Sequence, residues 1–220
     1  MPSGGAAVTD LAFNVVDAVP EKFAAAPHLL FRMRVSETSG AVVHAIALRC
    51  QLRIEPQRRP YDRREQEALA DLFGTSDRYA TTLKPFLWTH ATALVQGFER
   101  TRDFDLPVAC TYDFDVSATK YIHALRGGDI PVVLLFSGTV FTRGESGFAV
   151  EQLSWSLEAE HRLPVTVWHD LMDIYFPGSG WIRLDRQTID ALARYRTSRG
   201  LTSWEETLGA LLPEAVEAGA

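Results

Sequence analysis

Apolar and polar residues alternate along most of positions 10–160. In Leu29-Leu30-Phe31-Arg32-Met33-Arg34-Val35, the side chains of Leu29, Phe31, Met33 and Val35 fall on one face of an extended chain, with Arg32 and Arg34 on the other. Ile46, Leu48, Cys50, Leu52 and Ile54 repeat the pattern against Ala45, Ala47, Arg49, Gln51 and Arg53. With Ser39-Gly40 between them, these two runs are expected to form a β-hairpin. A one-residue slip would turn the apolar row to water, which fixes the register. Further strands are expected over residues 87–95, over the row Val108, Cys110, Tyr112, Phe114 and Val116, over 132–141, over 148–157 and, more weakly, over 11–19. The 132–141 run is apolar on both faces, as a covered central strand should be.

Helical spacing interrupts this pattern. Ala68, Leu69 and Leu72 share a side of a helix expected from Asp62 to Phe73 and stopped by Gly74. Ser117 is placed to cap a short helix over 118–125, ended by Gly127-Gly128. From Pro164 the period becomes 3.6: Val167, Leu171 and Ile174 form one stripe, ended by Pro177-Gly178. Asp185 caps the next helix, which carries Ile189, Leu192 and Ala193, and Ser203 with Glu206 makes a capping box for the last. The predicted fold is mainly β: an antiparallel β-sandwich, immunoglobulin-like or similar, over 9–160 with short helical insertions. Helices over 161–212 are expected to pack on it, and 1–8 and 213–220 to be flexible tails.

Composition narrows the function classes. The 220 residues carry 28 acids against 22 bases, a net charge of −6. Diffuse binding to nucleic acid needs a positive field, so no nucleic-acid partner is expected. The longest uncharged, mainly apolar run, Ile130 to Thr142, is too short to span a bilayer. The first ten residues show neither a basic nor an apolar signal region, so the expected compartment is the cytoplasm. Cys50 and Cys110 lie in apolar runs and lack the close partners of a metal site, which favours two buried free thiols over a disulfide.

Local chemistry is sparse. The chain lacks a G-x-G-x-x-G, a Walker loop, an H-E-x-x-H and an EF-hand loop. Gly144-Glu145-Ser146-Gly147 fits a hairpin turn better than a nucleophile elbow, which needs glycine two residues after the serine. Pro177-Gly178-Ser179-Gly180 fits a helix-ending turn better than a phosphate loop. The histidines at 28, 44, 90, 123, 161 and 169 show no ligand spacing, and His44 and His90 are expected on inward-facing rows as core imidazoles. Asp103, Asp105, Asp113 and Asp115 form two D-F-D pairs, for which a solvated strand edge is preferred to a calcium site. Neither a catalytic set nor a metal or cofactor is expected. The candidate partner or anion patch is Arg53, Arg58, Arg59, Arg63 and Arg64, set against Glu55, Asp62 and Glu65, with i,i+4 pairing on a solvated helix start as the competing reading. Trp155, Trp168, Trp181 and Trp204 are expected to serve core and docking roles where the terminal helices meet the strands.

Five stretches carry a resemblance: Arg53-Ile54-Glu55-Pro56, Pro85-Phe86-Leu87-Trp88, Cys110-Thr111-Tyr112-Asp113, Phe136-Ser137-Gly138-Thr139 and Tyr175-Phe176-Pro177. Over residues 10–212 the chain resembles a bacterial family of unknown function whose genes tend to lie beside those of uptake nickel–iron hydrogenases. The resemblance implies an accessory role near such a hydrogenase, with hydrogenase subunits or maturation factors as protein partners. It supplies no site residues. The expected function is therefore a non-catalytic accessory or binding protein. The alternative is a small-molecule or metal-handling protein, or an enzyme whose site residues meet only in the fold.

Overall fold

The computed structural model describes residues 9–111, 117–144, 147–179 and 182–212. The chain is mostly β. Its strands are β1 (Leu11–Pro20), β2 (His28–Glu37), β3 (Val43–Ile54), β4 (Phe86–Phe98), β5 (Thr101–Ala109), β6 (Asp129–Gly144), β7 (Gly147–Gln152) and β8 (Glu158–Pro164). The helices are α1 (Arg63–Phe73), α2 (Tyr79–Thr82), α3 (Ser117–Ala124), α4 (Val165–Tyr175), α5 (Arg186–Arg199) and α6 (Trp204–Leu211). The strands form two antiparallel sheets, one ordered β1-β2-β5 and one ordered β4-β3-β6-β7. In the second, β3 takes one edge of β6, while β7 and β8 pair in succession with Thr139–Gly144 and Asp129–Leu135 of β6. The chain divides into two compact units, Met1–Trp181 and Ile182–Ala220, so α4 belongs with the strands.

The alternation of the sequence becomes the core. Phe31, Met33 and Val35 of β2, Ile46, Leu48, Cys50, Leu52 and Ile54 of β3, and Leu106 and Val108 of β5 join one apolar cluster with Ile130, Val132, Leu134 and Phe136 of β6. Rings bridge the sheets: Phe13 of β1 stacks on Phe136 at 4.5 Å, and Phe31 meets Trp88 of β4 edge-on at 6.2 Å. Fully burying side chains of this size contributes roughly 1.5–3 kcal/mol each. On the outer face of the first sheet, Arg34 bonds Asp103 at 2.6 and 2.7 Å, and Arg32 stands opposite Asp105. The first D-F-D pair is thus half of a cross-strand charge ladder. Asp113 and Asp115 lie outside the described residues.

Several expected connections differ. The runs 29–35 and 46–54 are not a hairpin: β2 pairs with β1 and β5, and β3 with β4 and β6. The Ser39-Gly40 segment carries the chain from one sheet to the other. The buried Glu37 carboxylate holds it, accepting from the amides of Ser39 (3.0 Å) and Gly40 (2.9 Å) and from the Ser39 hydroxyl. Burial raises the pKa of Glu37, but these hydrogen bonds outweigh it and hold the value below the ordinary one. The strand expected from Val108 lies earlier, at Thr101–Ala109, and Tyr112, Phe114 and Val116 fall outside the described residues. The run 148–157 is extended only as far as Gln152; the rest is the turn that leads into β8. Ser154 and Ser156 share a 2.8 Å hydroxyl contact in that turn, which leaves Trp155 91% exposed. His44 and His90 face outward, because Val43 and Ile46 of β3, and Ala91 and Val95 of β4, take the inward positions.

The helix boundaries follow their caps. Asp62 and Glu65 form a capping box on α1, Asp185 accepts from the Thr188 amide at 2.8 Å, and Ser203 and Glu206 box α6. In the second unit, the Arg196 guanidinium lies 4.2 Å over the Trp204 ring. Trp168 is buried and meets Trp88 edge-on at 6.3 Å, while Trp181 lies outside the described residues.

Gly138 in β6 has φ +142°, and a Cβ there would stand 2.1 Å from the Ala47 carbonyl oxygen of the neighbouring strand. Gly40 also has a positive φ, +87°, but a Cβ there meets nothing within 4 Å. Gly40→Ala is therefore expected to cost about 1 kcal/mol from backbone strain alone. Gly138→Ala should cost more than twice as much, because the β3–β6 ladder itself must part. Urea unfolding of the two variants measures the difference.

Candidate functional site

The five patch arginines separate once folded. Arg53 and Arg58 converge on Glu55, a buried carboxylate, at 2.8 and 2.7 Å, and Arg58 also reaches Glu160 at 2.7 Å. Arg63 pairs along its own helix with Glu67 at 3.0 Å, fully in solvent. Arg59 turns inward. Its side chain is 8% exposed and that of its partner Glu65 is 5% exposed. Only Arg64 faces solvent with no acid partner among the described residues.

The Arg59–Glu65 pair organises its surroundings. Glu65 accepts from the Arg59 guanidinium at 2.9 and 3.0 Å, from the Arg126 amide at 2.9 Å and from the Asp62 amide at 3.3 Å. Arg59 spends its remaining donors on the Gly127, Asp129 and Pro60 carbonyls. The neighbouring Gly128 carbonyl accepts from Val165, the first residue of α4, at 2.9 Å. The segment between α3 and β6 is therefore bonded to α1 on one side and to α4 on the other. Beside it Tyr121 and Tyr61 share a 2.9 Å hydroxyl contact, with the Tyr61 hydroxyl donating to Pro56. Burial raises both phenols, Tyr121 to about 12, so both stay neutral donors at neutral pH.

Around this hub lie two open cavities of about 380 and 400 Å³ that share His123 and Arg126 as a common wall. Arg64 and Asp71 of α1 and Lys120 of α3 line the first, over Ala68 and Leu72. His169, Met172 and Asp173 of α4 line the second. Lys120 pairs with Asp71 at 2.6 Å and holds that carboxyl below its ordinary range. Burial first, and the field of His169 second, keep His123 below the ordinary histidine value. Arg126 has its amide fixed by Glu65, and its guanidinium meets no acid among the described residues. Among the described residues, three permanent cations and two imidazoles thus line the two cavities with two carboxylates, one of which is already held by Lys120. Such a face can bind anionic groups through charge-assisted hydrogen bonds.

Of the arginine patch, only Arg64 reaches this groove; His123 and His169, considered in the sequence as histidines without ligand spacing, also line it. Lys120, His123, Arg126 and His169 were missed as a group, because they meet only when α1, α3 and α4 assemble. The available signals were local: Lys120 and His123 stand three apart on one helix, and His169 and Asp173 four apart on another.

The remaining candidates sit in the core. Cys50 is buried and Cys110 half-buried, with its Sγ 3.4 Å from the Val108 carbonyl oxygen. Burial lifts both thiols to about 12, which leaves them protonated and poorly nucleophilic. Among the described residues, no group of three or more His, Cys, Asp or Glu side chains is placed to hold a metal ion. No helix among them is long and apolar enough to cross a membrane. Ser179 donates to the Phe176 carbonyl at 3.1 Å and Gly178 has φ +61°, a helix-ending turn, with Gly180 outside the described residues.

Comparison with known proteins gives a family. Residues 8–220 match the family of unknown function DUF6084, and the chain belongs to it. No curated protein matches the chain. Among solved structures, a β-glucosidase from Kluyveromyces marxianus aligns over 70% of this chain at 7% identity, with a TM-score of 0.27. The chain spans 15% of that enzyme's length.

Two predictions follow from the buried groups. Arg59→Ala or Glu65→Ala strands a buried charge and should cost about 3–5 kcal/mol, whereas Arg63→Ala should change stability by less than about 0.5 kcal/mol in urea unfolding. His161 of β8 packs edge-on to Phe31 at 5.9 Å, its Nε2 buried without a hydrogen-bond partner. Burial holds it below the ordinary value of 6.5, against the pull of Asp17 and Asp129. As pH falls through 6.5 the unfolded chain therefore takes up the proton first, and stability declines until the folded value is passed. Thermal melts across that window should show this decline in the wild type and a shallower one in His161→Gln.

Proposed function

We propose that this DUF6084 member is a non-catalytic accessory protein that holds an acidic partner protein on the face formed by α1, α3 and α4. The observation that carries the reading is the sorting of charge. In a chain of net charge −6, Arg53, Arg58, Arg59 and Arg63 are each paired with a carboxylate, while Arg64 and Arg126 open onto joined cavities with no carboxylate partner among the described residues. Placing cations on a rigid, partly apolar surface favours a complementary partner and speeds its approach. The scaffold behind the face is read as a β-sandwich, supported by the Phe13–Phe136 and Phe31–Trp88 contacts between the sheets. The partner class comes from the resemblance: a subunit or maturation factor of a nickel–iron hydrogenase, met in the cytoplasm.

Co-purification of the tagged chain from its native host tests this. A hydrogenase-related protein should be recovered with the wild type and with Arg63→Glu. It should be lost with the double variant Arg64→Glu, Arg126→Glu. Equal recovery with the double variant would remove the groove from the account, and unchanged hydrogenase activity on deleting the gene would remove the hydrogenase link.

A further inference from the structure

We propose that the groove takes an extended acidic segment of polypeptide, with one carboxylate in each cavity, and that protonation of His123, on the wall between them, tightens the grip. This rests on the reading above and specifies its ligand and its control. Size argues for a chain rather than a single ion. Each cavity, at about 380 or 400 Å³, is many times the ~30 Å³ share of a water molecule, and a group bound in one must cross the His123–Arg126 wall to reach the other. The lining argues for peptide over nucleic acid. Three permanent cations are too few to track a phosphate backbone, and Ala68, Leu72 and Met172 offer apolar floor to side-chain methylenes.

The wall is prepared in advance. Because Glu65 already holds the Arg126 amide, ligand binding need not order that backbone, and the forked guanidinium can serve carboxylates on either side.

His123 adds control. Among the described residues, the titratable and charged groups facing it are Arg64 and Asp71 of α1, Lys120 on α3, Arg126 on the wall, and His169 and Asp173 of α4. An anion laid across the wall favours the imidazolium form of His123, and by linkage that form favours the anion, so affinity rises as pH falls through the His123 transition.

Fluorescence anisotropy with a labelled hexaglutamate peptide and the full chain tests the proposal. Binding should tighten about fivefold or more from about pH 7.5 to about pH 5.5, the size of an exposed ionic contact. His123→Gln should flatten that dependence while retaining binding at the higher pH. Arg126→Glu should abolish binding, and hexalysine should not bind. Inorganic phosphate should compete no better than chloride at equal ionic strength. Displacement by phosphate well beyond that of chloride would overturn the proposal in favour of a small oxyanion site, and a pH-independent affinity would overturn the histidine control. If hexaglutamate fails to bind while the double variant of Arg64 and Arg126 still loses its partner from the native host, this proposal falls and the accessory reading stands. If the partner is also retained, both fall.

Discussion

A carboxylate removed from water must be met by donors on every side, and the Glu65 carboxylate is met by a guanidinium and two backbone amides. Those donors come from two separated parts of the chain: Arg59 and Asp62 in the segment leading into α1, and Arg126 beyond α3. Arg59 in turn closes on Gly127 and Asp129, and Gly128 receives the first amide of α4. A short connection that would otherwise wander over the surface is thereby bonded to two helices. The shape of the basic groove depends on this arrangement, since Arg126 forms the wall between its cavities.

The same pair explains why a dense run of arginines does not act as one patch. Charge at a surface is useful to a partner only where the protein has not already neutralised it. Glu55 absorbs Arg53 and Arg58, Glu65 absorbs Arg59, and Glu67 faces Arg63. The free potential is displaced to the cavity that Arg64 shares with Lys120 and His123 of α3 and with Arg126. Buried ion pairs are weak contributors to net stability when compared with apolar replacements, but once present they specify one geometry, because half of the pair cannot be tolerated alone.

Much of the scaffold was legible in the sequence. Period-two rows in β2 and β3, the doubly apolar run of β6, the helix beginning near Asp62, the caps at Asp185 and Ser203, and the change of period at Pro164 all reappear at or near their expected places. Pairing was less legible. The Ser39-Gly40 turn looks the same in sequence whether it returns a strand to its neighbour or carries it to another sheet, and only the Glu37 carboxylate beneath it marks the second case. The break at Ser154–Ser156 was hidden because Leu153, Trp155 and Leu157 keep the alternation through a turn. The groove was almost invisible. Its residues come from three helices and one connection, and nothing in the spacing of Arg64, Lys120, Arg126 and His169 brings them together until the Arg59–Glu65 pair has formed.

Amide hydrogen exchange at Arg126 tests that dependence most directly. Held by a buried carboxylate, this amide should exchange only through large-scale opening in the wild type, and Glu65→Gln should speed it selectively while amides in the middle of β3 and β6 keep their protection. An Arg126 amide that exchanges at the rate of an open loop in the wild type would contradict the account, because the wall between the two cavities would then have no fixed support.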